Sequence, residues 1–186
     1  MKKGQTLLPR FETSRLLLRP RTMADLAACL AMDREPDVTK YIQGPWNDPA
    51  EHERFLIDRI KRDWGPGLGY WSIFAKESPD QLMGWILLIP YDSVGPDIDI
   101  GWRLRRAAWG RRYAAEAARP IVEHAFETVG LPRIVADIDP RNVASIRVAE
   151  QIGMKFAGDG TYADGEPCKA YRMTRDDFVA AYRRNP

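Results

Sequence analysis

The chain has 186 residues, 45% of them hydrophobic, which suits one domain with a sizeable core. Its 28 basic and 26 acidic residues leave a formal net charge of +2, which argues against a nucleic-acid-binding surface as the main function. Two cysteines, Cys29 and Cys168, make no disulfide framework, and the opening MKKGQTLLPRFETSRL holds no sustained apolar run, so a cytoplasmic protein with neither signal peptide nor membrane span is expected. No repeat, low-complexity run or long linker divides the sequence, so a single domain over residues 1–186 is expected.

In chain order, Arg15 to Arg19 reads as a short strand. Thr22 caps a helix, with Asp25 in the acidic place of a capping box and Leu26, Cys29 and Leu30 on the core face. REPDVTKYIQGPWNDP is rich in turn residues and carries Tyr41 and Trp46. A second helix starts at Pro49, in the N1 place after Asp48, and continues to about Trp64. Tyr70 to Ala75 is a strand, Lys76 to Gln81 a hairpin turn, and Leu82 to Ile89 a strongly apolar strand. After a loop, Asp97 to Leu104 alternates, with Ile98, Ile100, Trp102 and Leu104 on one side, as a half-buried strand does.

A turn over Arg105 to Gly110 leads to a helical pattern with apolar residues at Ala114, Ala117, Ala118, Ile121, Val122, Ala125, Phe126 and Val129. Pro120 lies inside it and should kink it. Arg133 to Ile138 is a further strand. Val143 to Ile152 is a short helix with Gly153 at C′. Lys155 to Gly158 and Glu166 to Met173 read as a closing strand pair, and Thr174 caps a small amphipathic tail. The order is βααβββαβαββ, with helices segregating around a mostly antiparallel sheet, so the class is α+β, a mostly antiparallel mixed sheet flanked by helices.

The strand, turn and helix of residues 97–128 organise the rest. The helix opens with WGRRYAAE. The first amides of a helix lack partners and carry roughly half a positive charge, so a diphosphate gains hydrogen bonds and a favourable dipole there. Gly110 permits close approach, Ala114 and Ala115 keep the entrance open, and Arg111 and Arg112 add full charges. A basic helix start after a tight turn is the plainer alternative. Neither Gly-Lys-Ser/Thr nor G-x-G-x-x-G occurs in the chain.

WGRRYAAEA resembles the coenzyme A loop of the GNAT acetyltransferases, Q/R-x-x-G-x-G/A, and most closely the W-G-K-G-Y-A-T-E-A of the RimJ/RimL-type branch. Arg112 stands where that branch has glycine, and Ala115 where it has threonine. A positive φ at Arg112 would cost roughly 1–2 kcal/mol, so its backbone is expected to be helical. PRNVASIRVAEQIGM resembles the branch's N-x-x-S-x-R-V-x-E-x-x-G-F, with Met154 in place of phenylalanine, and TSRLLLRP resembles its T-x-R-L-x-L-R-P opening. The resemblance covers about residues 15–173 and implies the GNAT fold, with a splayed central strand pair and a bulge near Arg103 to Arg105.

What the resemblance implies chemically is acetyl transfer from acetyl-coenzyme A to an amine, without a metal. The expected coenzyme contacts are Leu104, Arg106, Gly110, Arg111, Arg112, Tyr113, Ala114, Ala115, Asn142, Ser145 and Arg147. The pantetheine arm would lie as an added strand. The Leu104 amide, or a neighbour, would act as oxyanion donor. Asn142 would cap its helix facing the pantetheine, and Ser145 would protonate the leaving thiolate, because the tyrosine many relatives place in this helix is Ala149 here. Asp99 and Asp97 are the general-base candidates, ordinary solvated strand carboxylates being the alternative. Asp137 and Asp139 suit the turn before Pro140, and Asp164 and Glu166 a loop at the acceptor end.

His52 and His124 lack a third ligand and are expected at the surface. Tyr41, Trp46, Trp71 and Trp85 are the candidates for an acceptor pocket, with core packing the alternative for each tryptophan. Acceptors of such proteins include protein N-termini and small amines. The 41–47 and 90–97 loops should choose between them. Homodimers are common among such proteins. Two other readings stay open: a coenzyme A-binding regulatory module with weak or lost chemistry, and a phosphate-binding domain for another nucleotide.

Overall fold

The computed structural model describes residues 8–183. The elements are β1 Phe11–Glu12, β2 Leu16–Pro20, α1 Leu26–Asp33, α2 Pro36–Thr39, α3 Pro49–Lys61, β3 Gly69–Ala75, β4 Ser78–Pro90, β5 Ile98–Leu104, α4 Tyr113–Glu123, β6 Arg133–Ile138, α5 Val143–Gln151, β7 Lys155–Thr161, β8 Pro167–Thr174 and α6 Arg175–Tyr182. The strands form one sheet in the order β1-β2-β3-β4-β5-β6-β8-β7. Every pairing is antiparallel except β5 with β6. The expected α+β class is what the chain adopts.

Alternation along the central strands sorts the core into two layers. Trp71, Ile73, Ile86 and Leu88 point to the face covered by Ala117, Ile121 and Phe126, on α4 and the turns that follow it. Tyr70, Phe74, Trp85 and Leu87 point to the other face, covered by Cys29 and Met32 of α1 and Leu56 of α3. The sheet is therefore buried on both sides at its middle.

Between β5 and β6 the ladder nearly stops. These parallel strands share one bridge, Asp99 with Val135, and separate beyond it. The splay was expected; the bulge near Arg103 to Arg105 is not found. The β4–β5 register runs unbroken from Pro90↔Ile98 to Gly84↔Leu104, and the Arg105 amide still donates to the Met83 carbonyl at 3.0 Å. Gly84 is the reason. With no side chain it brings β4 so close to β5 that a Cβ there would lie 2.1 Å from the Arg103 carbonyl oxygen.

Several local expectations are corrected. The hairpin turn is Lys76 and Glu77 alone, since Ala75 pairs with Ser78. Pro79 and Asp80 occupy the irregular stretch before the next pair, Phe74 with Leu82, where a missing N–H costs little. Within the turn-rich segment Pro36–Thr39 forms a short helix, started by Pro36 at N1. The helix expected from Trp109 begins at Tyr113. It runs through Pro120 and widens to π-helical turns at His124–Thr128. Neither histidine is at the surface. His124 bonds the Gly67 carbonyl at 2.8 Å, and His52 bonds Asp33 at 3.2 Å, so each imidazole is buried with a partner.

Candidate active site

The cradle comes first. Gly110 has φ +75° with open space where a Cβ would stand. Arg112, the residue before α4, has φ 60° and ψ 20°, which is left-handed, so the expected helical backbone at Arg112 is corrected. The glycine-like conformation is kept although the glycine is not. Arg15 braces this loop: its Nη2 donates to the Arg111 carbonyl at 3.0 Å, while its Nε donates to Glu116 at 2.7 Å. No side chain caps α4. The first protein-bound amide of the helix is Glu116, donating to the Arg112 carbonyl at 3.2 Å. Among the described residues the amides of 110–115 therefore have no protein acceptor, which suits an oxyanion. Gly110, Arg111 and Arg112 are exposed, while Tyr113, Ala114 and Ala115 are buried behind them.

Strand β5 leads from this cradle into a cleft. The Arg105 amide faces β4, so the alternation of an antiparallel ladder turns the Leu104 and Trp102 amides toward the gap beside β6. The Leu104 carbonyl is taken by the Trp109 indole N–H at 2.9 Å. The cleft measures about 450 Å³, and its lining includes Tyr41, Asp92, Asp99, Trp102, Asp137, Asp139, Asn142, Ser145, Tyr162 and Asp164. Asn142 caps α5 by accepting from the Ser145 amide at 3.1 Å, as expected.

Five of the lining residues are aspartates, and no lysine or arginine is among them. Asp137 is held by Tyr91 Oη at 2.6 Å and Arg172 at 2.7 Å, and Asp139 by Arg141 at 2.6 Å. No ion pair involving Asp99 is present among the described residues. Burial, then the nearby charges of Asp137 and Asp92, push its carboxyl up to about 7, against the pull of Arg172. Burial also raises the Tyr162 phenol.

The expected acceptor residues separate. Tyr41 lines the cleft. Trp71 is fully buried in the core, Trp85 packs edge-on against Tyr70 in the opposite layer, and Trp46 packs on His52 and Phe55. None of the three reaches the cleft: strand alternation sends the Trp71 and Trp85 side chains to the packed layers, and Trp46, just before α3, packs back on that helix. Of the other expected coenzyme residues, Arg106 pairs with Asp37, Arg111 with Glu77 at 2.7 Å, and Arg147 is exposed on α5. Asp97 pairs with Arg133 at 2.7 Å and does not line the cleft. Asp92 and Tyr162, in the cleft lining, and Tyr91, bonded to Asp137, lie outside the strands and helices that periodicity marks, and no local pattern singles them out. Among the described residues, no group of three or more histidine, cysteine, aspartate or glutamate side chains is arranged to hold a metal, and no helix is long and apolar enough to cross a membrane.

A sheet split between two parallel strands, with a cationic helix start at the mouth of the split, defines an acyltransferase architecture. The profile of the acetyltransferase (GNAT) domain matches residues 15–155, and the chain belongs to this family. It is 30% identical over 159 residues to an uncharacterized N-acetyltransferase, p20, of Bacillus licheniformis, covering 84% of this chain and 87% of that one. An acetyltransferase structure from Agrobacterium tumefaciens superposes with a TM-score of 0.77 at 31% identity, over 90% of this chain and 95% of that one. The spermidine N-acetyltransferase of Vibrio cholerae, solved with CoA and spermine, shares the fold with a TM-score of 0.73 at 15% identity, over 90% of this chain and 99% of that one. The protein is thus an acetyl-CoA-dependent N-acetyltransferase.

Proposed function

We propose that this protein acetylates a primary amine on a small, multiply charged amine, and that it belongs to the RimJ/RimL-type branch and works in the cytoplasm. The observation that carries the acceptor class is the cleft beside β5, whose lining holds five aspartates, three of them without an arginine partner among the described residues, and no lysine or arginine. Asp137 and Asp139 are already paired with arginines, so a polycation gains there chiefly from Asp92, Asp164 and ionised Asp99, whereas a peptide brings one amine and a chain of neutral amides.

The unpartnered amides of 110–115, with Arg111 and Arg112, hold the coenzyme's diphosphate. Bound acetyl-CoA supplies the acetyl thioester that the amine attacks. The Leu104 amide orients the thioester oxygen from the edge of the gap. Asp99, with its raised carboxyl, accepts the amine's proton, directly or through one water. The Ser145 hydroxyl donates a proton to the departing sulfur. Asn142 fixes the start of α5 and so the place of Ser145.

Free-thiol release with purified protein and acetyl-CoA tests this, using spermidine, an aminoglycoside and a peptide with a free N-terminus as acceptors. Turnover on spermidine or the aminoglycoside, but not on the peptide, is expected. Turnover on the peptide alone would overturn the acceptor class. Tight coenzyme binding with no turnover on any amine would favour the regulatory module instead. Ser145→Ala should lower turnover more than it lowers coenzyme affinity.

A further inference from the structure

A second cavity lies away from the cleft, where the end of α3 meets the start of β3. It holds about 230 Å³, and Arg21, Arg59, Arg62, Trp64, Leu68 and Tyr70 are in its wall. Asp63 is the one acid of that wall among the described residues, against three arginines.

Arg21 is the unusual member. Its residue is only 7% exposed, yet its Nε and Nη2 are buried with no hydrogen-bond partner among the described residues. Its guanidinium lies 3.7 Å from the Tyr70 ring centroid and has no paired carboxylate among the described residues. The acids around it are engaged elsewhere: Asp25 binds Arg19 and Ser72, and Asp33 binds Arg103 and His52. Buried guanidinium groups are normally paired, and one left with idle donors carries a substantial desolvation cost. Arg59 adds a second cation beside it, donating to the Tyr70 hydroxyl at 2.9 Å. Trp64 and Leu68 add apolar surface for the body of a ligand.

The wall also reaches the acceptor side. Arg62 donates to the Ser93 carbonyl at 3.0 Å. Ser93 and its neighbour Asp92 both have left-handed backbones, at φ 63° and φ 50°, which non-glycine residues hold only under constraint. Asp92 itself lines the cleft. An anion that recruits Arg62 competes for the bond that restrains this loop.

We propose that this cavity binds a small oxyanion, carboxylate or phosphate, carried on a flat apolar body, and that its occupancy loosens the 91–95 loop through Arg62. The site needs no acetyl transfer to be tested, so its failure and that of the proposed function are separable. Benzoate, phenyl phosphate and neutral benzamide are titrated calorimetrically into the full chain at fixed ionic strength, with hydrogen exchange followed at residues 91–95. Saturable binding of benzoate or phenyl phosphate, but not of benzamide, is expected, with faster exchange in the loop; the stronger of the two anions tells which oxyanion the site prefers. Arg21→Met should weaken that binding by about tenfold or more, since a charge-assisted contact is lost. Should that variant not fold, Arg59→Met must weaken it instead. Arg62→Ala should keep the binding in large part and speed loop exchange before any anion is added. The site is refuted by equal binding of benzamide, by no saturation of either anion below about 10 mM, or by affinities that Arg21→Met and Arg59→Met leave unchanged. Loop exchange indifferent to both anion and Arg62→Ala refutes the link.

Discussion

Asp99 could be picked out from the alternation of its strand, but the property that makes it useful could not. Its partners in repulsion, Asp92 and Asp137, arrive from the turn that precedes the strand and from β6 beside it. A base must be deprotonated to work, so turnover should climb as pH rises through about 7, the value to which the carboxyl is pushed. The same shift has a stability consequence of opposite sense. The folded form holds its proton above the ordinary 3.8, so stability should decline between about pH 4 and 7 and level off above. Asp99→Asn is therefore expected to abolish most turnover while raising stability at pH 8 by on the order of 1–3 kcal/mol. A melting series of both forms across pH checks the second half. Arg112 teaches the complementary lesson: the sequence suggested a residue fit for a helix, and the loop imposed φ 60°. Arg112→Gly should relieve about 1 kcal/mol of backbone strain while weakening coenzyme binding through the lost charge. Gly110→Asp should weaken it far more, because a carboxylate would face the diphosphate, and calorimetry with coenzyme A measures both.

Elements announced by their ends were the legible ones. Asp48 before Pro49, Asn142 before α5, and Thr174 with Asp177 all do what their spacing implies. Elements that exist only by contact were not: β1 has two residues, and α2 a single turn in a run of turn formers. Helix α4 is tied to the N-terminal turn in a way no pattern reveals. Glu116 accepts from the Thr13 hydroxyl at 2.6 Å and from the Arg15 amide at 3.0 Å, besides pairing with the Arg15 side chain. These bonds, working against burial, hold its carboxyl below the usual range, so its contribution is present at neutral pH and is lost as pH falls below that range. Glu116→Ala should cost about 2–3 kcal/mol in denaturant midpoint terms and also loosen coenzyme binding, since Arg15 then no longer braces the Arg111 carbonyl.

Across the whole molecule the order of strands and helices was readable because each strand carried its own period and each turn its own residues. What joins the layers was not. Asp33 of α1 is completely enclosed and bonds both Arg103 of β5, at 2.7 Å, and His52 of α3. Arg103 in turn lies 4.9 Å from the rings of Trp46 and of Trp85, which accounts for two tryptophans that do not line the cleft. Asp33→Asn should destabilise the fold by about 3–5 kcal/mol, because it strands a buried cation, and Asp33→Leu combined with Arg103→Met should recover much of that loss. Equilibrium unfolding of the single and double variants decides it.

Gly84 carries an implication of its own. It faces Leu104 from the neighbouring strand, where even one methyl group would collide with main-chain atoms. The Leu104 amide, proposed as the oxyanion donor, is thus positioned from behind by a spacer of a single hydrogen atom on the neighbouring strand. Enlarging that spacer offers a dial on reactivity that leaves every contacting side chain in the enzyme's mouth as it was.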